Sequence, residues 1–332
     1  PLCRKITLND TNTLFSASLT FWGWHRNDIA VRFGEGGIMR ENKLEISYKT
    51  LKKNEFSQVH ATMVEAFADY HLDMSYMTCE RSWLRNQKSG VHYDCSVGAY
   101  CGEKMVGLTF VGLDEWQGEK AAFDAGTGII PGFRGKGIAK AMFEFILPGL
   151  RERGVSRFLL EVLQPNTAAI RAYTKSGFNI TREFACYDLP SASFVENKPV
   201  CDAFEVKVID RPTVQQFKTQ VDWQPSWENS FSGMDRIQDE LIRLGAFKGQ
   251  QCVGILVFYP LLQWIMSLVV VRDFRHQGVA SSLMKVLMAN LPENIDTVKI
   301  NNIDFSDKAM MTFFEKTGAE HVIDQFEMEY RF

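Results

Sequence analysis

Apolar residues recur along this chain with two periods, and the switches between them divide it into elements. Residues 44–51, "LEISYKTL", alternate as a half-buried strand does. Residues 55–71 carry Phe56, Val59, Met63, Val64 and Phe67 at helical spacing. "YDCSVGAYCGEKMVGLTFVGL" reads as two strands that turn at Gly102-Glu103. "AAFDAGTGII" is a further strand, stopped by Pro131-Gly132. "GIAKAMFEFILPGLRERG" sets Ala141, Met142, Phe145 and Ile146 on one helical stripe; Pro148 is expected to kink or divide its last turn, and Gly154 to end it. "RFLLEVL" is a buried strand. "NTAAIRAYTKSGF" is a helix begun by an Asn/Thr cap and closed at Gly177, and "FACYDL" is expected to close a first unit.

After a polar stretch flanked by prolines (190–199), the order restarts. "AFEVKVID" is a strand, "WENSFSGMDRIQDEL" is helical, and "LGAFKGQQCVGILVFYP" is a hairpin turning at Gly249. "WIMSLVVV", "GVASSLMKVLMANL", "TVKINNI", "SDKAMMTFFEKTG" and "FEMEYRF" follow as strand, helix, strand, helix and strand. The order β-α-ββ-β-α-β-α-β therefore occurs twice. A chain of 332 residues suits two domains of about 150 each. The long repeat marks a duplicated domain rather than a solenoid, whose periods run about 20–50 residues. The expected division is 39–189, a linker at 190–202, and 203–332.

The first 38 residues show no sustained period. A basic start before "LFSASLTFWGW" only faintly resembles a signal peptide, because polar residues interrupt the apolar run. Codons for Glu35-Gly36-Gly37 can resemble a bacterial ribosome-binding sequence just upstream of Met39. Residues 1–38 are therefore read as translated leader, non-native or disordered, with the native start at Met39.

Composition narrows the function. A net charge of −3 lacks the basic stripe that a nucleic-acid surface needs. The seven cysteines stand singly, with no CxxC pair, as free thiols do in a reducing cytoplasm. The six histidines form no metal-binding arrangement, so no metal is expected. No apolar run is long enough to span a membrane.

Two short loops carry the chemistry. Residues 134–139 read "RGKGIA" and residues 275–280 read "RHQGVA". In the first, a strand ends near Pro131 and a helix starts near Gly137. Unpaired amides at the helix start, with the positive end of its dipole, form an anion cradle suited to phosphate. Gly135 and Gly137 permit close backbone approach, and Arg134 and Lys136 add charge. A Walker A loop fails at Gly137, where Ser or Thr is needed after the lysine. A dinucleotide fingerprint fails at Lys140.

"IIPGFRGKGIAKAM" resembles the signature of the GCN5-related N-acetyltransferase (GNAT) family, and "NTAAIRAYTKSGF" resembles that family's second motif. The resemblance covers residues 44–189 and, more weakly, 203–332. It implies an α/β fold of mixed sheet: two tandem acyl-CoA N-acyltransferase domains, each a mostly antiparallel sheet flanked by helices. It further implies an acetyl-CoA cosubstrate, with pyrophosphate on the amides of Arg134, Gly135, Lys136, Gly137, Ile138 and Ala139. The pantetheine arm would then pair with the strand end at Gly128 and Ile129. Asn166 serves as a helix cap and as a cofactor hydrogen bond. Tyr173 matches the family tyrosine placed near the thioester sulfur, as the proton donor to the departing thiolate. Candidate bases to strip the amine are Asp124 and Glu161, and the backbone N–H of Ile129 is the simplest oxyanion donor.

The repeat tests itself. An offset of 141 carries Arg134 to Arg275, Gly137 to Gly278, Ala139 to Ala280 and Gly177 to Gly318. The same offset puts Phe314 at Tyr173, Asp307 at Asn166, Asn302 at Glu161 and Ile265 at Asp124. The glycine frame survives while every proton-transfer candidate is lost, so the first copy is expected to be catalytic and the second degenerate. The acceptor, a small-molecule or peptide amine, is expected over 55–71 and 112–124, where "LDEWQGEK" adds acidic and aromatic groups. No nucleic-acid or membrane partner is expected, and the chain is a monomer or homodimer. The rival readings are a non-catalytic acyl-CoA-binding regulatory module and a nucleotide-dependent oxidoreductase. The strand hairpins at 91–112 and 246–258 oppose the latter.

Overall fold

The computed structural model describes residues 45–69, 77–194 and 204–332; the reading of 1–38 and of the start at Met39 lies outside them. In the first repeat the period-two stretches become β1 (Ile46–Thr50), β2 (Val97–Cys101), β3 (Lys104–Trp116), β4 (Glu119–Ile129), β5 (Arg157–Leu163) and β6 (Asn179–Pro190). Its helices are α1 (Phe56–Ala66), α2 (Cys79–Lys88), α3 (Ile138–Glu152) and α4 (Thr167–Lys175). The second repeat supplies β7 (Glu205–Val208), α5 (Arg211–Gln216), α6 (Phe231–Arg236), β8 (Ile242–Lys248), β9 (Gln251–Tyr259) and β10 (Trp264–Val270). It ends with α7 (Val279–Ala289), β11 (Thr297–Asp304), α8 (Lys308–Lys316) and β12 (Glu320–Arg331).

Three elements depart from the sequence reading. Helix α2 was not anticipated; Thr78 caps it by accepting from the Arg81 amide at 3.2 Å. The helical reading of 227–241 resolves into a short α6 between 3-10 turns, because Ser230 caps a new start and Ile237 leaves the helical conformation. Helix α3 runs through Pro148 without dividing.

The strands form one mixed, mostly antiparallel sheet in the order β1-β2-β3-β4-β5-β12-β6-β11-β10-β9-β8-β7. Among the described residues, only β4–β5 and β10–β11 pair in parallel. The closing strands are exchanged. β12, from the second repeat, pairs with β5 of the first, and β6, from the first, pairs with β11 of the second. "FACYDL" therefore closes its partner's sheet rather than its own. The two exchanged strands meet antiparallel, with Glu320 opposite Asp188 and Glu329 opposite Asn179. The offset of 141 carries Asn179 to Glu320 and Asp188 to Glu329, so a pseudo-two-fold passes between β6 and β12.

Each repeat buries apolar surface on both faces of the sheet, as helices on both sides require. In the first, α3 supplies Ile138, Met142, Ile146 and Leu150 to one face, and α1 supplies Phe56 and Val59 to the other. Trp227 of the second repeat joins the latter cluster: its ring stacks on Phe123 at 5.1 Å and on Trp116 at 5.6 Å. Its indole N–H donates to the Ser89 carbonyl at 3.0 Å. The insertion "LDEWQGEK" thus clamps the second repeat. Trp116 is buried, and Asp114 accepts from Ser232 and Arg236 of the second repeat.

Candidate active site

Both repeats open their sheet by the same device. In β4 the ladder with β3 slips at Ala125, and in β10 the ladder with β9 slips at Met266, the residue 141 positions on. A bulge bends its strand. Parallel pairing of β4 with β5 ends at Asp124–Leu160, and β10 meets β11 only at Trp264–Lys299. Beyond these points the strands splay. Ile130 donates to the Val106 carbonyl at 3.0 Å, and Ile129, one residue back, stands opposite Gly107. Antiparallel bonding alternates, so the N–H of Ile129 faces the opened gap rather than β3.

The loop after β4 keeps the conformation that its glycines foretell. Gly135 and Gly137 take φ of 73° and 77°, and a Cβ at either would meet nothing within 4 Å. The exposed loop runs straight into α3, whose first residue, Ile138, is anchored in the core. The second repeat holds the same turn, with Gly278 at φ 91° and His276 at φ 60°, a left-handed conformation that a non-glycine residue rarely adopts.

The loop arginines do a common structural job. The Arg134 Nε donates to the Ile129 carbonyl at 3.0 Å, and its guanidinium grips Asp69 at 2.6 and 2.7 Å and the Ala66 carbonyl at 2.8 Å. Arg275 repeats this on the Val270 carbonyl at 3.0 Å and on Asp222 at 2.7 Å. Each braces its strand end against the preceding helical segment. Lys136 folds back to the Gly132 carbonyl at 3.1 Å. Asn166 caps α4 by accepting from the Ala169 amide at 3.2 Å, and Asp307 caps α8 in the same way at 2.9 Å. Gly128 is crowded on the α1 side, where a Cβ would stand 2.9 Å from both Ala66 and Phe67.

Two of the three proton-transfer candidates come together. The Tyr173 hydroxyl donates to Asp124 at 2.8 Å, at the vertex where β4 leaves β5. Asp124 also accepts from the Thr127 hydroxyl at 2.7 Å and the Gly126 amide at 3.0 Å. Burial pushes its carboxyl above the usual range, opposed by these hydrogen bonds. In the second repeat this pair is Ile265 and Phe314, both buried and apolar.

Glu161 sits at the same vertex on the opposite face. Leu160 packs with α3, and Leu159 with α1; side chains alternate along β5, which puts Glu161 on the α1 face. Its carboxyl is pushed up to about 7, first by burial and then by the neighbouring Glu228 and Glu327. It accepts from the Asn302 side chain at 2.5 Å. Beside it, Glu228 is held by Arg85 at 2.9 Å and by the buried ammonium of Lys88. Arg85 also donates to the carbonyl of the bulged Ala125 at 2.7 Å. Sequence reasoning missed Arg85, Lys88 and Glu228, since nothing local marks them, and it met Asn302 only as the residue that stands where the second repeat lacks Glu161.

A cavity of about 680 Å³ lies in the splay of the second repeat, lined by Ile265, Leu268, Val279, Asn302, Phe314 and Arg275 among others. No helix among the described residues is long and apolar enough to cross a membrane.

An opened mixed sheet with a glycine loop leading into a helix, present twice, defines a duplicated acyltransferase-type fold. The profile of the Acetyltransferase (GNAT) family matches residues 58–178 and 209–319, and the chain belongs to that family. It is similar in fold to a GCN5-related N-acetyltransferase from Sphaerobacter thermophilus: TM-score 0.65, 14% identity, covering 86% of this chain and 95% of that one. A tandem GNAT protein from the clavulanic acid biosynthesis pathway gives a TM-score of 0.65 at 14% identity, over 86% of this chain and 98% of its own. A putative acetyltransferase from Pyrococcus horikoshii gives 0.62 at 12% identity, over 91% and 93%. A search of curated proteins found no match. The tandem acyltransferase fold expected from the two motifs is thus present, and such a fold supports acyl-CoA-dependent N-acyl transfer in general.

Proposed function

We propose that the chain transfers an acetyl group from acetyl-CoA to a primary amine by direct attack, and that the first repeat performs the chemistry. The observation that carries this is the placement of groups at one vertex: Tyr173 with Asp124 on one face and Glu161 on the other. The residues present fit the cosubstrate. The Ile129 N–H faces the gap, and the loop at 134–139 leaves open approach to its amides. A thioester lying in the gap would meet a base on one side and a proton donor on the other.

The amine must lose a proton, since an ordinary alkylamine with pKa about 10.4 is almost wholly charged at neutral pH. Glu161 takes that proton; a carboxyl near pH 7 is matched to the task. The Ile129 N–H holds the oxyanion. Tyr173 turns its single O–H from Asp124 to the departing sulfur, and Asp124, whose protonated form burial favours, donates to the phenol oxygen in turn and restores its proton. Screening an amine library with acetyl-CoA, read by thiol release, tests the activity; no amine-dependent release from any member would sink it.

The cavity favours a second reading, in which the second repeat holds the acyl-CoA and the chain is a binding module. The two loops separate these readings. Valine at Gly137 or Gly278 would force a β-branched residue into the left-handed region at φ 77° or 91°. Gly137→Val is expected to weaken CoA binding about tenfold or more in calorimetry, with Gly278→Val near wild type. The opposite outcome supports the second reading.

A further inference from the structure

We infer that the second repeat completes the active site of the first, with Asn302 acting as the positioning residue for the Glu161 carboxylate. The inference rests on the reading of Glu161 as the base. It gives the degenerate repeat a defined part in the reaction.

Asn302 is the counterpart of Glu161 under the 141-residue offset, and the pseudo-two-fold brings the two side chains face to face. β11 is irregular here: its register with β6 shifts between Ile300 and Ile303, and Asn302 takes φ 63°. That conformation disfavours most residues and suits Asn. Asn302 is 2% exposed, and its amide has only one sensible orientation. The oxygen accepts from the Gln325 side chain at 2.9 Å and from the Cys186 thiol. The nitrogen is left to donate to Glu161 at 2.5 Å and to Ser226 at 2.9 Å. Gln325 stands on β12, the exchanged strand, opposite Leu163 of β5. The second repeat thus delivers a fixed donor to the first repeat's carboxylate.

The charges around it come from both repeats. Glu228, from the turn before α6, and Glu327, on β12, disfavour a second negative charge. Lys88, on α2, favours it, and Arg182, on β6, interacts with the same carboxylate while gripping Glu327 at 2.6 Å. The Asn302 donor also favours the charged form. Losing it should move the titration of Glu161 upward.

The test is a pH titration of the whole chain labelled with carboxyl-13C glutamate, the Glu161 signal being the one missing in Glu161→Gln. Asn302→Asp keeps a residue that tolerates φ > 0 but replaces the donor with an acid. Its midpoint for Glu161 is expected to rise by about one pH unit or more. Should Asn302→Asp not fold, Asn302→Gly keeps the backbone and removes the donor, with an upward shift again expected. In parallel, the pH profile of acetyl-CoA hydrolysis, followed by free thiol, should have its acid limb move by the same amount. An unmoved midpoint overturns the inference alone. An acid limb that persists in Glu161→Gln overturns the base assignment, and the inference with it.

Discussion

Replacing Tyr173 by phenylalanine is expected to lower kcat by about 10²–10³-fold while the dissociation constant for acetyl-CoA changes by less than about twofold. Steady-state thiol release and calorimetry measure the two. The substitution removes one oxygen, whose role in the structure is a 2.8 Å hydrogen bond to Asp124. The ring keeps its edge-on contact with Phe178 at 5.5 Å. The second repeat already carries Phe314 at the equivalent place, fully buried, so the fold accepts the ring without its hydroxyl. A loss confined to KM would assign Tyr173 to binding rather than proton donation.

Glu161→Gln is expected to remove a comparable share of turnover and to alter the pH dependence of stability. The carboxyl titrates near 7 in the folded chain, against about 4.3 for an ordinary glutamate. The folded state therefore binds this proton more tightly than the unfolded state does. The resulting stabilisation is complete below about pH 4.3, falls as pH rises through 7, and is absent above it. Wild type should lose stability across that window relative to the glutamine variant, by up to roughly 3 kcal/mol at pH 8. Thermal melts of both proteins at pH 5, 6, 7 and 8 give the comparison. A constant difference in Tm would show that Glu161 does not titrate there.

Much of this architecture was legible because local rules and global fold agree. The period-two stretches, the hairpin turns at Gly102 and Gly249 and the Asn166 cap each have a local cause, and each is found. The loop at 134–139 was legible for the same reason, since its glycines sit at positive φ. The brace made by its arginine was not, because the Arg134 guanidinium holds a strand end through Asp69, a partner 65 residues away. Helix α2 went unread because its sequence, "CERSWLRNQK", is mostly polar and its buried residues include Ser82, Asn86 and Lys88. Lys88 is buried there because the second repeat supplies Glu228 as its partner. Asn302 shows the limit most clearly. The internal comparison marks it as the loss of an acid, and only the strand exchange reveals that it faces the acid it replaced.

That exchange also has a consequence for how the chain is made. β5 emerges early in synthesis, but Leu163 must wait for Gln325 before that edge is covered. Until β12 arrives, the first repeat presents the ribosome exit with an unpaired strand beside a half-built cleft, a state open to pairing with other chains. Shortening the chain at its far end would leave the edge of the first repeat bare, even though every proton-transfer residue proposed for that repeat had already been translated.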